Sequence, residues 1–397
     1  MRRTVRAACH TALALGCMAG ASLPARAAQW SLAPALTWGA DDDSNRYFLA
    51  QGQASQSASV SASLQAERST ETTQLSLFSH LDWQDFFPRD YGRIFEWDVT
   101  AADEWTLERG ELDFSARDAD QSSLTTETTE TGILSTSLHQ RTDAASVSST
   151  YDQSERRALV LQLSYTDIEY YGSPEAELTN LLFGYRLPSG SVAEQYSLSE
   201  RSTLTASAFS SEILSRLPGA DENETGLQLD YRRTLAENTQ LDLSGGAVKT
   251  RYSTGGQTLT LASLQLSQSL DAGSLALSYS RSLMPYGTGV LVQRQEWKLS
   301  AKRDLTEELD VTASLDRVQN SQPPALSTFL QQIALVQTYD NVLLGLDWHF
   351  ADKWKLSAQV GTTWTRTLEV VSQPIHEWRC GLSVVWTPNP IMPEFWP

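Results

Sequence analysis

From Val342 to Phe350 every second residue is apolar: Val342, Leu344, Leu346, Trp348 and Phe350 alternate with polar positions that include Asp347 and His349. The next stretch repeats the pattern. Trp354, Leu356, Ala358, Val360 and Trp364 fall on one side, and Lys355, Ser357, Gln359 and Thr363 on the other. The same period of two returns at Leu227-Leu229-Tyr231, Leu241-Leu243-Gly245-Ala247, Leu275-Leu277-Tyr279, Trp297-Leu299-Ala301, Leu309-Val311-Ala313-Leu315 and Trp378-Cys380-Leu382-Val384-Trp386. Alternation over eight to twelve residues predicts strands with one apolar face.

Short connections with an acidic residue near the centre separate these strands: near Ser69, at 102–105, 154–155, 198–200, 235–238, 270–273, 305–308 and 351–354. The other connections, 85–92, 117–142, 170–176, 216–224, 285–290, 321–338 and 367–375, are mostly longer and more polar. Tight turns at one end and extended loops at the other are the asymmetry of an outer-membrane barrel. The short hairpins predict sixteen strands. One more near Tyr47–Gln53 and a closing strand at Glu377–Trp386 give eighteen, with sixteen as the alternative.

Strand length separates a membrane barrel from a soluble sandwich. Ten residues from Trp354 to Trp364, at ~3.3 Å each and tilted by ~40°, cover roughly 25 Å along the membrane normal, the height of a lipid-facing band between aromatic girdles. Soluble strands are usually about half that long. The expected fold class is therefore all-β, a transmembrane antiparallel up-and-down barrel of about eighteen strands, in the bacterial cell outer membrane.

The N-terminus agrees with export. Arg2, Arg3 and Arg6 precede an apolar stretch around Ala12–Ala21 and a small-x-small site at Ala25-Arg26-Ala27, which reads as a signal peptide over 1–27. A lipoprotein reading through Cys17 lacks the usual leucine three residues earlier, where Ala14 stands. The expected division continues with a periplasmic segment at 28–44, the barrel at 45–386 and a proline-rich tail at 387–397.

Composition narrows the function. The formal net charge is −18, and a leader holding four arginines contributes none of the acid, so the exported chain is more acidic still. Nucleic acid, which requires clustered cations, is excluded as a partner. Of the three cysteines, Cys9 and Cys17 lie in the leader, and Cys380 alone allows no intramolecular disulfide. Apolar residues make up 41% and are spread by alternation, with no run long enough for a transmembrane helix after the leader.

Residues 280–315, SRSLMPYGTGVLVQRQEWKLSAKRDLTEELDVTASL, carry Ser282-Leu283-x-Pro285-x-Gly287-x-Gly289 in a loop, Arg294 in the following strand and Leu305-Thr306-Glu307 at a turn. This segment resembles the outer-membrane family described as β-barrel porin type 2, related to barrels encoded near exopolysaccharide and exosortase systems. The acidic DDDSN at 41–45 fits as well. The resemblance implies a channel or a part of polysaccharide export, with exopolysaccharide export components as partners, and it transfers no catalytic residues. One departure is the tail: such barrels commonly end on an aromatic residue of the last strand, whereas Trp386 is followed by TPNPIMPEFWP.

Signals for chemistry are few. Asp41, Asp43 and Asn45 occupy the first three ligand positions of a calcium loop, but Arg46 replaces the turn glycine and Gly52 stands where a bidentate glutamate is needed, so an ordinary periplasmic turn is expected. His80 with Asp82 and His139 with Asp143 are the pairs to consider for a barrel hydrolase, and His349 is expected at the lumen or interface. His376 completes the histidines beyond the leader. No nucleophile elbow, metal-spaced histidine pair or phosphate loop appears, so the expectation is no catalytic, cofactor or metal residue and no enzyme. Basic residues at alternate positions (Arg232, Lys249, Arg251, Lys298, Lys302, Lys355) leave a mixed or an acidic lumen equally open. The expected function is a porin-like pore or conduit for solute or polysaccharide. Outer-membrane lipid and the barrel-assembly machinery are the expected partners, and a scaffold barrel with a closed lumen is the alternative. Segments 117–142 and 321–338 are the candidates to fold inward as plugs.

Overall fold

The computed structural model describes residues 28–45, 54–87, 92–123, 138–172, 182–252, 255–285, 287, 291–321, 337–367 and 375–391. The expected leader, 1–27, and the strand expected near Tyr47–Gln53 lie outside them. Eighteen strands are present among the described residues: β1 (Gln29–Asp43), β2 (Ser55–Ser69), β3 (Thr73–Phe87), β4 (Arg93–Leu107), β5 (Gly110–Ser122), β6 (His139–Ser154), β7 (Arg157–Tyr171), β8 (Tyr185–Ser199) and β9 (Ser202–Ser215) form the first half. The second half is β10 (Glu222–Ala236), β11 (Thr239–Tyr252), β12 (Gly255–Leu270), β13 (Gly273–Pro285), β14 (Leu291–Asp304), β15 (Leu309–Ser321), β16 (Gln337–Ala351), β17 (Trp354–Thr367) and β18 (Ile375–Trp386). Each pairs antiparallel with its sequence neighbours, and β18 pairs with β1 to close the ring. A closed ring leaves no sheet edge, the condition for a sheet to cross lipid.

Alternation decides what faces lipid. Leu227 is 68% and Leu163 62% exposed, although both sit in the middle of strands, because their side chains point out of the barrel. Around β16–β17–β18–β1 the outer rings form a girdle near the short-turn end. Trp354 stacks 6.2 Å from Trp38 and lies 6.4 Å from Trp386 and 6.5 Å from Phe350. Amphipathic rings suit the headgroup level, and the short turns are accordingly the periplasmic end. Trp364 lies on the same outer face as Trp354, toward the other end of β17.

The periplasmic turns are tight, with Glu-Arg at 108–109, 155–156 and 200–201 and Asp-Ala at 271–272. After two of them comes a glycine at a backbone conformation that disfavours any side chain. Gly110 and Gly273 have φ of 136° and 140°, and a Cβ at either would overlap the carbonyl oxygen of Thr150 or Lys302 on the adjoining strand.

Several boundaries differ from expectation. Residues 28–44 are not a periplasmic segment; Gln29–Asp43 is the first strand, paired with β2 along its whole length. Pro34 concealed it, since proline argues against a central strand. It is tolerated because β18 ends opposite Leu36, so no ladder bond is lost there. The turn expected at 102–105 is strand, and the chain reverses at Glu108–Arg109. The long loop expected over 117–142 is shorter, because β5 runs to Ser122 and β6 starts at His139. The tail beyond Trp386 touches the wall again at one point, where Leu32 and Ile391 exchange backbone hydrogen bonds of 3.0 and 2.8 Å in an isolated bridge. Residues 392–397 lie outside the described residues.

Candidate functional site

The side chains opposite the lipid-facing set line a lumen, and a barrel of sixteen to eighteen strands leaves that lumen aqueous unless something fills it. One hairpin partly does. β13 pairs with β14 up to Pro285 and Leu291, yet its pairing with β12 stops at Ala262 and Arg281. Above that point the β13–β14 tip leans inward onto the wall made by β7–β10. Leu291 is buried in a cluster with Ile168, Tyr185 and Ile213, and Leu283 packs against it. Its backbone N–H donates to Glu222 Oε1 at 3.3 Å, and Phe183 N–H donates to the Gly287 carbonyl at 2.7 Å. Pro285 fits here because β13 has already left β12, so its missing N–H forfeits no ladder bond. Among the described residues this hairpin is the inward element; of the segments expected to plug the lumen, residues 124–137 and 322–336 lie outside the described residues.

The lumen wall is zoned. Facing inward, β2 presents Ser55, Ser57, Ser59, Ser61 and Ser63, and β8 and β9 present Ser189, Ser191, Thr205, Ser207 and Ser211. Carboxylates gather on β3–β5, where Asp82, Glu96, Asp98, Glu104, Glu111 and Asp113 share the inner face. Glu104, Glu111 and Asp113 bring their oxygens within 4.8 Å of one another.

Inward cations are balanced locally. Arg117 binds Asp98 through Nε at 2.9 Å, Arg232 binds Asp242 at 2.7 Å, and Arg294 binds Glu296 at 3.0 Å. Lys298 approaches Asp316 at 3.9 Å, while Lys302 lies 3.2 Å from Asp304 and 3.0 Å from Asp310. Lys355 is 3.6 Å from Asp347, and Arg379 sits opposite Asp43 in the register. Lys249 and Arg251 point the other way: both share the outer face of β11 with Leu241 and Leu243.

No family model matches the chain, and no curated protein matches it. Among solved structures it is similar to Pseudomonas aeruginosa OccK9 (OpdG), at 13% identity and a TM-score of 0.50, over 90% of this chain and 98% of that one. It is equally similar to Pseudomonas aeruginosa OccK2 (OpdF), at 12% identity and a TM-score of 0.50, over the same shares of the two chains. The chain has the fold of an outer-membrane porin.

The candidate catalytic pairs separate on this barrel. His80 and Asp82 both face the lumen from β3, and the His80 ring stacks 6.4 Å from Phe78, itself an inward aromatic that alternation alone would have assigned to lipid only by breaking the period. His139 faces outward above the apolar band. Its Nδ1 lies 3.0 Å from Asp120 and its ring 5.3 Å from Tyr171, while Asp143 instead meets Arg141 at 3.4 Å. Among the described residues no hydroxyl or thiol is hydrogen-bonded to His80 or His139. His349 is on the lumen face at the periplasmic end, and His376 Nε2 meets Thr362 Oγ1 at 3.0 Å on the outer wall.

Asp41, Asp43 and Asn45 are not in a periplasmic turn. Asp41 and Asp43 are inward residues of β1 at the loop end, and Asn45 N–H donates to Asp43 Oδ1 at 2.8 Å in an Asx-type turn. The lumen's inward hairpin and the buried Glu222 beneath it had no sequence signal beyond the Pro-Gly-Gly spacing at 285–289.

Proposed function

We propose that this chain is a pore of the outer membrane for small solutes, with a preference for cations. The observation that carries the reading is the pairing of the inward cations with carboxylates of the same wall, while the acidic face of β3–β5 has Arg117 as its cation. Paired charges cancel at a distance, so the surplus on the wall is negative. In a confined passage that surplus raises the local cation concentration and opposes anions. The serine-rich stretches add hydrogen-bonding capacity without charge.

The fold shared with the Occ barrels supports a solute pore. The polysaccharide conduit implied by the resemblance of residues 280–315 receives no such support, and the hairpin carrying that resemblance occupies lumen that a wide polymer would need. Outer-membrane lipid and the barrel-assembly machinery are the partners this reading requires. Insertion of the purified protein into planar bilayers tests it: discrete conductance steps in KCl are expected, and a folded barrel that never conducts would favour the scaffold alternative.

A further inference from the structure

Where the β13–β14 tip rests on the wall of β7–β10 it does not fill the space completely. A cavity of about 270 Å³ remains between them. Leu187, Phe209, Ile213, Leu283 and Pro285 give it an apolar side, and Gln162, serines of β8 and β9 and the carboxylate of Glu224 give it a polar one. Glu224 Oε2 accepts a hydrogen bond from Ser211 Oγ at 2.7 Å, whereas Oε1 is buried with no hydrogen-bond partner among the described residues. A carboxylate oxygen withdrawn from water and left unmatched is costly until a cation or a proton completes it.

Among the described residues no cation pairs with Glu224, and the hairpin's Arg294 is engaged with Glu296. The inward positions of β7, β8 and β9 carry none, and Arg232, lower on the strand of Glu224, is engaged with Asp242. An aromatic surface lies beside the carboxylate instead. The ring of Phe209 sits over Gly226 in the space that a side chain at that position would take, so the glycine is what lets the ring lie flat along the wall. A carboxylate at one end and an aromatic face at the side match a ligand with a positive head and an apolar body.

We propose that this cavity is a solute-binding subsite for a small organic cation, an ammonium group on an apolar body, held by Glu224 and Phe209 at the inward hairpin. The proposal deepens the pore reading and rests on it, since the lumen is the route by which such a solute arrives.

The test uses the purified, folded barrel and three matched probes titrated calorimetrically at pH 7.5: benzylammonium, benzyl alcohol and benzoate. Saturable binding is expected for benzylammonium alone. Glu224→Gln should weaken it by about tenfold, the size of one lost charge-assisted interaction, and Phe209→Ala should weaken it severalfold. If Glu224→Gln does not fold, Glu224→Asp, which keeps the charge and withdraws it by one methylene, should still weaken binding. The proposal is overturned by no saturable benzylammonium binding, by equal binding of benzyl alcohol or benzoate, or by glutamate variants that bind like the native chain. KCl conductance measured on the same preparation separates the two readings. Binding without conductance overturns the pore and leaves the subsite standing; conductance without binding does the reverse.

Discussion

The backbone N–H of Leu291 donates to Glu222 Oε1 at 3.3 Å, which ties the start of β14 to a strand that is not its neighbour in the ring. A contact between β14 and the inner face of β10 exists only because the β13–β14 tip crosses into the lumen. Leu291 completes the anchor by burying its side chain against Ile168, Tyr185 and Ile213.

That anchor sets the first prediction. Leu291→Asp places a carboxylate in an apolar cluster beside Glu222, at a cost of several kcal/mol unless the tip leaves. Single-channel conductance of this variant should rise severalfold over the native pore, with the barrel still heat-modifiable on gels. Native conductance in a folded L291D barrel would show that the hairpin is no constriction.

The periplasmic turns set a second. Gly110→Ala or Gly273→Ala puts a Cβ into the carbonyl of Thr150 or Lys302 at a φ that disfavours L-residues. The strain is on the order of 1–3 kcal/mol. Each variant should unfold at lower urea concentration than the native barrel in lipid vesicles, whereas Gly245→Ala, where a Cβ meets nothing within 4 Å, should not.

The closing seam sets a third. Removing residues 387–397 deletes the hydrogen bonds between Leu32 and Ile391, and Trp386→Ala removes a ring 6.4 Å from Trp354. Net contributions of about 0.5–1.5 kcal/mol are ordinary for each kind of contact. Both changes should lower the midpoint of unfolding modestly, with Trp386→Ala also slowing folding into vesicles; a truncated chain as stable as the native one would mean the tail's contact with β1 contributes nothing.

Much of this architecture was legible in the alternation. Val342–Phe350 and Trp354–Trp364 face as their period predicts, and the acidic turns at Glu155, Glu200, Glu237 and Asp271 fall where the chain reverses. Legibility failed where one residue broke a local rule for a reason that only the partner strand reveals. Pro34 hid β1 because the end of β18 opposite it is not in the sequence of β1. Glu104 looked like a turn acid because a carboxylate facing water in a lumen is indistinguishable, along the chain, from one facing water in a loop. The lumen's charge balance was unreadable for a related reason: Lys249 and Lys298 both alternate with apolar neighbours, but one faces out and the other in, and only the register with β10 and β15 assigns them. The Glu224 cavity depends on the hairpin crossing the lumen, a contact between strands far apart in the ring that no local pattern encodes.

The lumen charge gives a fourth prediction. Replacing Glu104, Glu111 and Asp113 together by Gln, Gln and Asn removes three carboxylates from the acidic wall. Cation preference should fall, while the barrel keeps its stability, because surface charges there contribute little to folding. Neutralising Lys298 and Lys302 to Met should act in the opposite direction.

The central claim is that an open, cation-preferring lumen crosses the membrane, and the reversal potential of single channels under a tenfold KCl gradient tests it most directly. A reversal potential on the cation side, shifted toward zero by the triple substitution at Glu104, Glu111 and Asp113, is the predicted result. A reversal potential on the anion side, or no channels at all from folded protein, would contradict it.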